Sequence, residues 1–147
     1  MTSYLLGSNA LVEFVLADKS SSDAFKDWVA SLTAQDDLFA SEISLGEIRW
    51  TVEVEMSPLD RDAWRHQLET SIPQRFGANL LSFRGEAVRR WGLIRLLEAD
   101  GSPLPAEETQ IIAQALADDL VLVGPKKAVH ALCGVEVFDP LEGSPWP

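Results

Sequence analysis

Along the chain, short unbroken apolar runs take turns with longer stretches in which apolar residues return every three or four positions. Tyr4-Leu5-Leu6 is the first such run. It stops at Gly7-Ser8-Asn9, and Ala10-Leu11-Val12-Glu13-Phe14-Val15-Leu16 follows with the spacing of an amphipathic helix. A buried strand that turns at once into a helix brings the strand's carboxyl end and the helix's amino end to one rim of a sheet. That rim is where α/β folds present their working residues. Ser8 or Asn9 is expected to cap the helix, because a short side-chain oxygen accepts from first-turn amides. Gly7, read alone, is a permissive turn residue.

The same alternation continues. Ser20-Ser21-Ser22-Asp23 is a loop ending in a cap, and Phe25, Trp28, Val29 and Leu32 predict a second helix to about Thr33. Asp36-Asp37 leads into a strand, Leu38-Phe39-Ala40. A third helix is expected from Ser44-Leu45-Gly46-Glu47, where Ser44 followed three residues later by Glu47 has the form of a capping box. Pro58 fits the first turn of a fourth helix that runs through Trp64 and Leu68 towards Ile72. Gly77-Ala78-Asn79 precedes a strand at Leu80–Phe83, and a fifth helix spans about Gly85–Ala99 until Asp100-Gly101-Ser102-Pro103 stops it. Pro105–Ala117 is a sixth helix, Leu120–Val123 a buried strand, Gly124-Pro125-Lys126-Lys127 a loop, and Val135–Phe138 a last strand. Strands alternating with helices predict a mostly parallel sheet of four or five short strands covered on both faces. The expectation is a three-layer α/β/α sandwich over residues 1–140, with 141–147 as a carboxyl-terminal tail.

Size and charge narrow the functions. A chain of 147 residues fits one domain with a full core. Its 12 Lys and Arg stand against 23 Asp and Glu, a formal charge of −11. Such a surface repels phosphate at long range, so RNA binding through a general field is disfavoured, while a local basic patch or a basic partner stays compatible. Arg84, just before the fifth helix, and Arg89, Arg90 and Arg95 on it read as a solvated face. Cys133 is the sole cysteine, which excludes an intrachain disulfide and a cysteine zinc cluster and suits a reducing cytosol. No apolar run approaches the ~18 residues of a membrane span. Gly7-Ser8-Asn9 interrupts any signal-peptide core. A cytoplasmic protein is expected.

Nucleophile motifs are lacking: there is no G-x-S-x-G elbow, no phosphate-binding glycine loop and no H-E-x-x-H. His66, placed mid-helix, and His130, near a loop, have no motif around them and read as surface or packing histidines. The acids at helix starts, Glu47 and Glu107-Glu108, are explained by the helix dipole alone. If both starts meet the rim at Gly7-Ser8-Asn9, however, the carboxylates converge, and converging carboxylates bind hard divalent ions.

Taken together, LLGSN (5–9), SLGEIRW (44–50), PLPAEETQIIAQALA (103–117), LVLV (120–123) and GVEVFDP (134–140) resemble, in order and spacing, the PIN domains. They are most similar to the VapC/FitB-type toxins of bacterial toxin–antitoxin pairs. The resemblance implies a PIN-like sandwich, a Mg²⁺- or Mn²⁺-dependent ribonuclease ancestry, a homodimer, and an antitoxin-like protein or sister subunit as partner. It also assigns positions. In the family an acid, a Ser or Thr and an Asn end the first strand; here these are Gly7, Ser8 and Asn9, the last two matching the substrate-side residues. Glu47 matches the acid of the third helix, and Glu108 stands where an Asp is usual. The loop after the fourth strand carries Lys126 in place of an acid.

The implied metal site is therefore degenerate. Glu47 and Glu108 are its remnant acids and its ligands for any metal, with Asn9 and Glu107 as helpers. Gly7 and Lys126 mark the lost acids. Two carboxylates bind Mg²⁺ or Mn²⁺ weakly at best, and losing about 3–4 kcal/mol of transition-state stabilisation slows a reaction by two to three decades. The paired change predicts that the Lys126 ammonium approaches Glu47 or Glu108; otherwise it is exposed and the site has drifted. Two functions stay open. One is a catalytically impaired binding protein, with Trp50 as a candidate contact. The other is an active Mg²⁺/Mn²⁺-dependent endoribonuclease toxin using Glu47 and Glu108.

Overall fold

The computed structural model describes residues 2–16, 22–100 and 103–147. Ser20-Ser21 and Gly101-Ser102, read above as loop and helix stop, lie outside them. Five strands, β1 (Ser3–Leu6), β2 (Asp37–Ser41), β3 (Leu80–Leu81), β4 (Val121–Val123) and β5 (Val137–Phe138), form one parallel sheet in the order β3-β2-β1-β4-β5. The helices are α1 (Ser8–Val15), α2 (Asp23–Ser31), α3 (Glu42–Glu55), α4 (Pro58–His66), α5 (Ile72–Phe76), α6 (Glu86–Ile94), α7 (Ala106–Ala117) and α8 (Ala128–Cys133).

The period of two along each strand sorts side chains to the two faces of the sheet. Leu5 lies in register with Phe39 and Leu122, and all three enter a cluster with Trp91 and Ile94 of α6 and Ile111, Ile112 and Ala115 of α7. Their neighbours Leu6, Ala40 and Val123 point the other way, to Leu11 of α1, Phe25 of α2, and Ile48 and Val52 of α3. Two apolar faces need two helical layers, so the expected α/β/α sandwich forms. The parallel direction sends the carboxyl ends of β1, β2 and β4 to a single rim, where α1, α3 and the chain leading to α8 begin.

Element ends differ from expectation for local reasons. The cap of α1 is Gly7, not Ser8 or Asn9, and no side chain caps the helix. Gly7 N–H donates to the Val123 carbonyl at 2.9 Å, which extends the β1–β4 ladder by one residue, and its own carbonyl accepts from Leu11 N–H at 2.9 Å. Ser8 and Asn9 thus become first-turn residues with free side chains. Helix α3 starts at Glu42, capped by Ser41, whose hydroxyl accepts from Ile43 N–H at 3.0 Å. The capping box read at Ser44 and Glu47 does not form, because Ser44 already lies inside the helix and is fully buried. Helix α4 continues through a π turn at Gln67–Ser71 into α5. Pro73 near the start of α5 lacks an N–H, and a wider turn before it relieves the missing bond. Helix α6 is shorter than read and passes into a 3₁₀ segment, Arg95–Asp100. Helix α8 was not foreseen. Six residues are too few to show a period, and its end at Gly134, with φ +74°, is a left-handed stop suited to glycine.

Residues 141–147, read from the sequence as a tail, are held to the body. Leu141 is buried in the α1–α2–α3 cluster, Trp146 Nε1 donates to Asp139 Oδ1 at 3.2 Å, and the Trp146 ring meets Phe25 edge-on at 6.1 Å. Asp139 also accepts from the Leu141 and Gly143 amides, so one buried carboxylate folds the segment back. No helix among the described residues is long and apolar enough to cross a membrane.

Candidate functional site

The strand ends and helix starts of the rim enclose a cleft of about 150 Å³. Gly7, Ser8 and Asn9 come from the β1–α1 corner, Glu47 from α3, Glu107 and Glu108 from the first turn of α7, and Lys127 and His130 from the start of α8. Glu47 sits where it does because Ser41 starts α3 at the end of β2, which places Ser44 and Glu47 one turn apart on the face towards α1. The Ser8 hydroxyl donates to Glu47 Oε1 at 2.8 Å and lies 3.0 Å from Ser44 Oγ. Ser8 is free to do this because Gly7 has taken over as the helix cap.

Glu47 carries a carboxyl whose pKa is raised. Partial burial is the main cause; the Ser8 hydrogen bond opposes it, the nearby charges of Glu107 and Glu108 reinforce it, and Lys127 opposes it. Glu108 is engaged differently. Lys127 Nζ lies 3.0 Å from Glu108 Oε1, and His130 Nε2 lies 3.8 Å from the same oxygen. His130 is buried, and its Nδ1 accepts from the Lys127 backbone N–H at 2.9 Å. An Nδ1 that accepts leaves the ring proton on Nε2, facing Glu108. Burial pulls the His130 pKa below its usual 6.5, against the pull of Glu108, so the neutral ring is the form the fold favours.

A wider groove of about 630 Å³ adjoins the cleft, sharing Ser8, Asn9, Glu47 and Glu107 with it and adding Val12, Trp50 and Pro147. Trp50 is 62% exposed, so it belongs to this surface and not to the core.

Of the residues picked from the sequence, Gly7, Ser8, Asn9, Glu47 and Glu108, with the helper Glu107, are brought to one cleft. Lys126 is not. It is exposed and lines a separate groove with Phe138, Asp139 and Trp146. The ammonium beside Glu108 is that of Lys127. The correction has a simple cause: in extended backbone successive side chains point opposite ways, and Lys127, extended at φ −132° and ψ 160°, is the residue that caps α8. His130 is buried, as a packing histidine is, and also lines the cleft beside Glu108. Its signal was its spacing, three residues after Lys127 on a helix too short to be read. His66 is exposed at the end of α4.

No family model matches the sequence, and no curated protein matches it. Solved structures do. The chain is similar to FitAcB from Neisseria gonorrhoeae, with 23% identity, a TM-score of 0.78, and 94% of this chain and 98% of that one covered. It is similar to DNA-bound VapBC from Salmonella typhimurium, at 21% identity and a TM-score of 0.69, over 95% and 99% of the two chains. It is also similar to VapBC-5 from Mycobacterium tuberculosis, a member of the VapBC family of toxin-antitoxin systems, at 17% identity and a TM-score of 0.60, over 95% and 98%. The fold is the PIN-like sandwich of the VapC/FitB toxins.

The metal chemistry implied by that fold asks for several oxygen donors around one point. The donors that the rim brings together fall short of that set. Among the described residues no three Asp, Glu, His or Cys side chains converge closely enough to hold one. Position 7 offers no side chain, Glu47 Oε1 accepts from Ser8, and Glu108 Oε1 pairs with an ammonium.

Proposed function

We propose that this chain is a PIN-fold protein of VapC/FitB type with impaired catalysis, acting through a protein partner. The observation that carries the reading is the Lys127–Glu108 ion pair at 3.0 Å inside the cleft. An ammonium paired with one of two remnant carboxylates opposes the accumulation of positive ions that metal-assisted phosphodiester cleavage requires. Glu47 and Glu108 are then remnants of a catalytic set, Ser8 and Asn9 keep its substrate side, and Gly7 and position 126 are the places where acids of the family pattern are missing. Any Mg²⁺ or Mn²⁺ binding is weak.

The partner is inferred from the complexes that the fold resembles, which include a toxin-antitoxin system and DNA-bound assemblies. An antitoxin-like protein or a sister subunit fits, in a cytoplasmic homodimer, and a net charge of −11 disfavours RNA as the principal ligand. The groove beside Trp50 is a suitable contact, since an exposed tryptophan next to carboxylates suits a basic, partly apolar segment.

The test is cleavage of single-stranded RNA by the full chain with Mg²⁺ and with Mn²⁺, beside Glu47→Gln. No metal-dependent cleavage above the Glu47→Gln background is expected. Cleavage by the natural sequence that Glu47→Gln abolishes would establish the other reading, an active endoribonuclease built on Glu47 and Glu108.

A further inference from the structure

We propose that the Lys127 ammonium is the resident cation of the cleft, tethered to the chain where the fold's chemistry asks for a divalent ion. The inference rests on the reading of the cleft as impaired and specifies what keeps metal out of it. Three observations converge on Lys127. Its Nζ lies 3.0 Å from Glu108 Oε1. Its backbone N–H is held at 2.9 Å by Nδ1 of buried His130, whose Nε2 stands 3.8 Å from that same Glu108 oxygen. Its charge also reaches Glu47, where it opposes the effect of burial and of the neighbouring acids.

The anchor is the backbone and the stem is flexible, with about half of the side chain exposed. Such a half-exposed pair contributes little to stability. Its consequence is occupancy. A cation supplied by the chain is present at a high effective concentration, so its equilibrium with the cleft is intramolecular and independent of ion supply. A divalent ion entering the cleft meets a positive charge and finds one remnant carboxylate already engaged. Lys126 takes no part, since it faces a separate groove.

The experiment titrates Mn²⁺ into the full chain and follows loss of the free-ion electron paramagnetic resonance signal. The natural sequence is expected to bind with a Kd weaker than about 1 mM, and Lys127→Gln at least about tenfold tighter. Lys127→Met, which also drops the charge, should behave as Lys127→Gln does; Lys127→Arg, which keeps it, should stay as weak as the natural sequence. Lys127→Gln with Glu108→Gln should lose the gain. Uptake by the natural sequence as tight as that of Lys127→Gln would overturn the proposal, and so would Lys127→Gln and Lys127→Met binding no tighter than the natural sequence. The RNA assay fails separately: cleavage without measurable Mn²⁺ uptake overturns impaired catalysis and leaves the tethered ammonium standing.

Discussion

Ser41→Ala isolates the joint on which the rim depends. Ser41 is fully buried at the end of β2 and is bonded on two sides. Its oxygen accepts from Ile43 N–H at 3.0 Å, starting α3, and its hydroxyl donates to Oε1 of Gln114, itself 2% exposed in α7. Loss of the cap costs about 1 kcal/mol. Loss of the hydroxyl also leaves a buried amide oxygen without a donor, at about 1–3 kcal/mol. The sum is about 2–4 kcal/mol, which for a chain of this size lowers Tm by roughly 5–15 °C. Urea denaturation with parallel thermal melts measures both. Combining Ser41→Ala with Gln114→Met removes both partners and should recover about 1 kcal/mol over the sum of the single changes. A Ser41→Ala loss under about 0.5 kcal/mol, or strict additivity in the double variant, would refute the account of α3 and α7 joined through this bond.

Three further outcomes follow from other parts of the molecule. Gly7→Ala places a Cβ 3.0 Å from the Val123 carbonyl and a poor cap at α1, so a loss of about 1 kcal/mol is expected in urea denaturation despite the gain from a stiffer unfolded chain. Trp146→Ala removes the Phe25 contact and the Asp139 hydrogen bond; about 2–3 kcal/mol of stability should go, with faster proteolysis at residues 141–147. Glu47 has a folded pKa above its usual 4.5, so the native state holds more protons than the unfolded chain just above pH 4.5. Stability should therefore fall as pH rises through that window, and Glu47→Gln should flatten the slope, which melts between pH 4 and 7 would show.

The sheet and its two covering layers were legible because Leu5-Leu6, Phe39-Ala40 and Leu122-Val123 each send neighbouring residues to opposite faces, and helices cover both. The site was legible as far as it rests on acids near helix starts: Glu107 and Glu108 in the first turn of α7 and Glu47 in the second turn of α3 meet because parallel strands end together. Two features escaped. Which residue caps a helix at the rim depends on the neighbouring strand, as when Val123 claims the Gly7 amide and Ser41 rather than Ser44 begins α3. Which of two adjacent lysines faces the cleft depends on where α8 begins, and a helix of six residues leaves no period to read.

A glycine at position 7 and the ammonium of Lys127 have one electrostatic consequence. A pool of unpaired carboxylates on a rim repels itself and gains stability from any cation that fills it. Here burial chiefly raises the pKa of Glu47 and the charges of Glu107 and Glu108 add to it, but no acid stands at position 7 and Lys127 supplies a positive charge. Adding an acid at position 7 would press its Cβ on the Val123 carbonyl and add a further negative charge beside Glu47. On the proposed reading the rim's folding should be independent of a bound ion. Thermal melts of the natural sequence in chelator and in 1 mM-range Mg²⁺, about the affinity of weak sites, should coincide within about 1 °C. Lys127→Gln should melt close to the natural sequence in chelator and rise when the ion is added, because ligand binding to the native state alone raises stability. A rise of several degrees for the natural sequence on adding Mg²⁺ would show that the cleft still depends on a metal, and that Lys127 does not replace it.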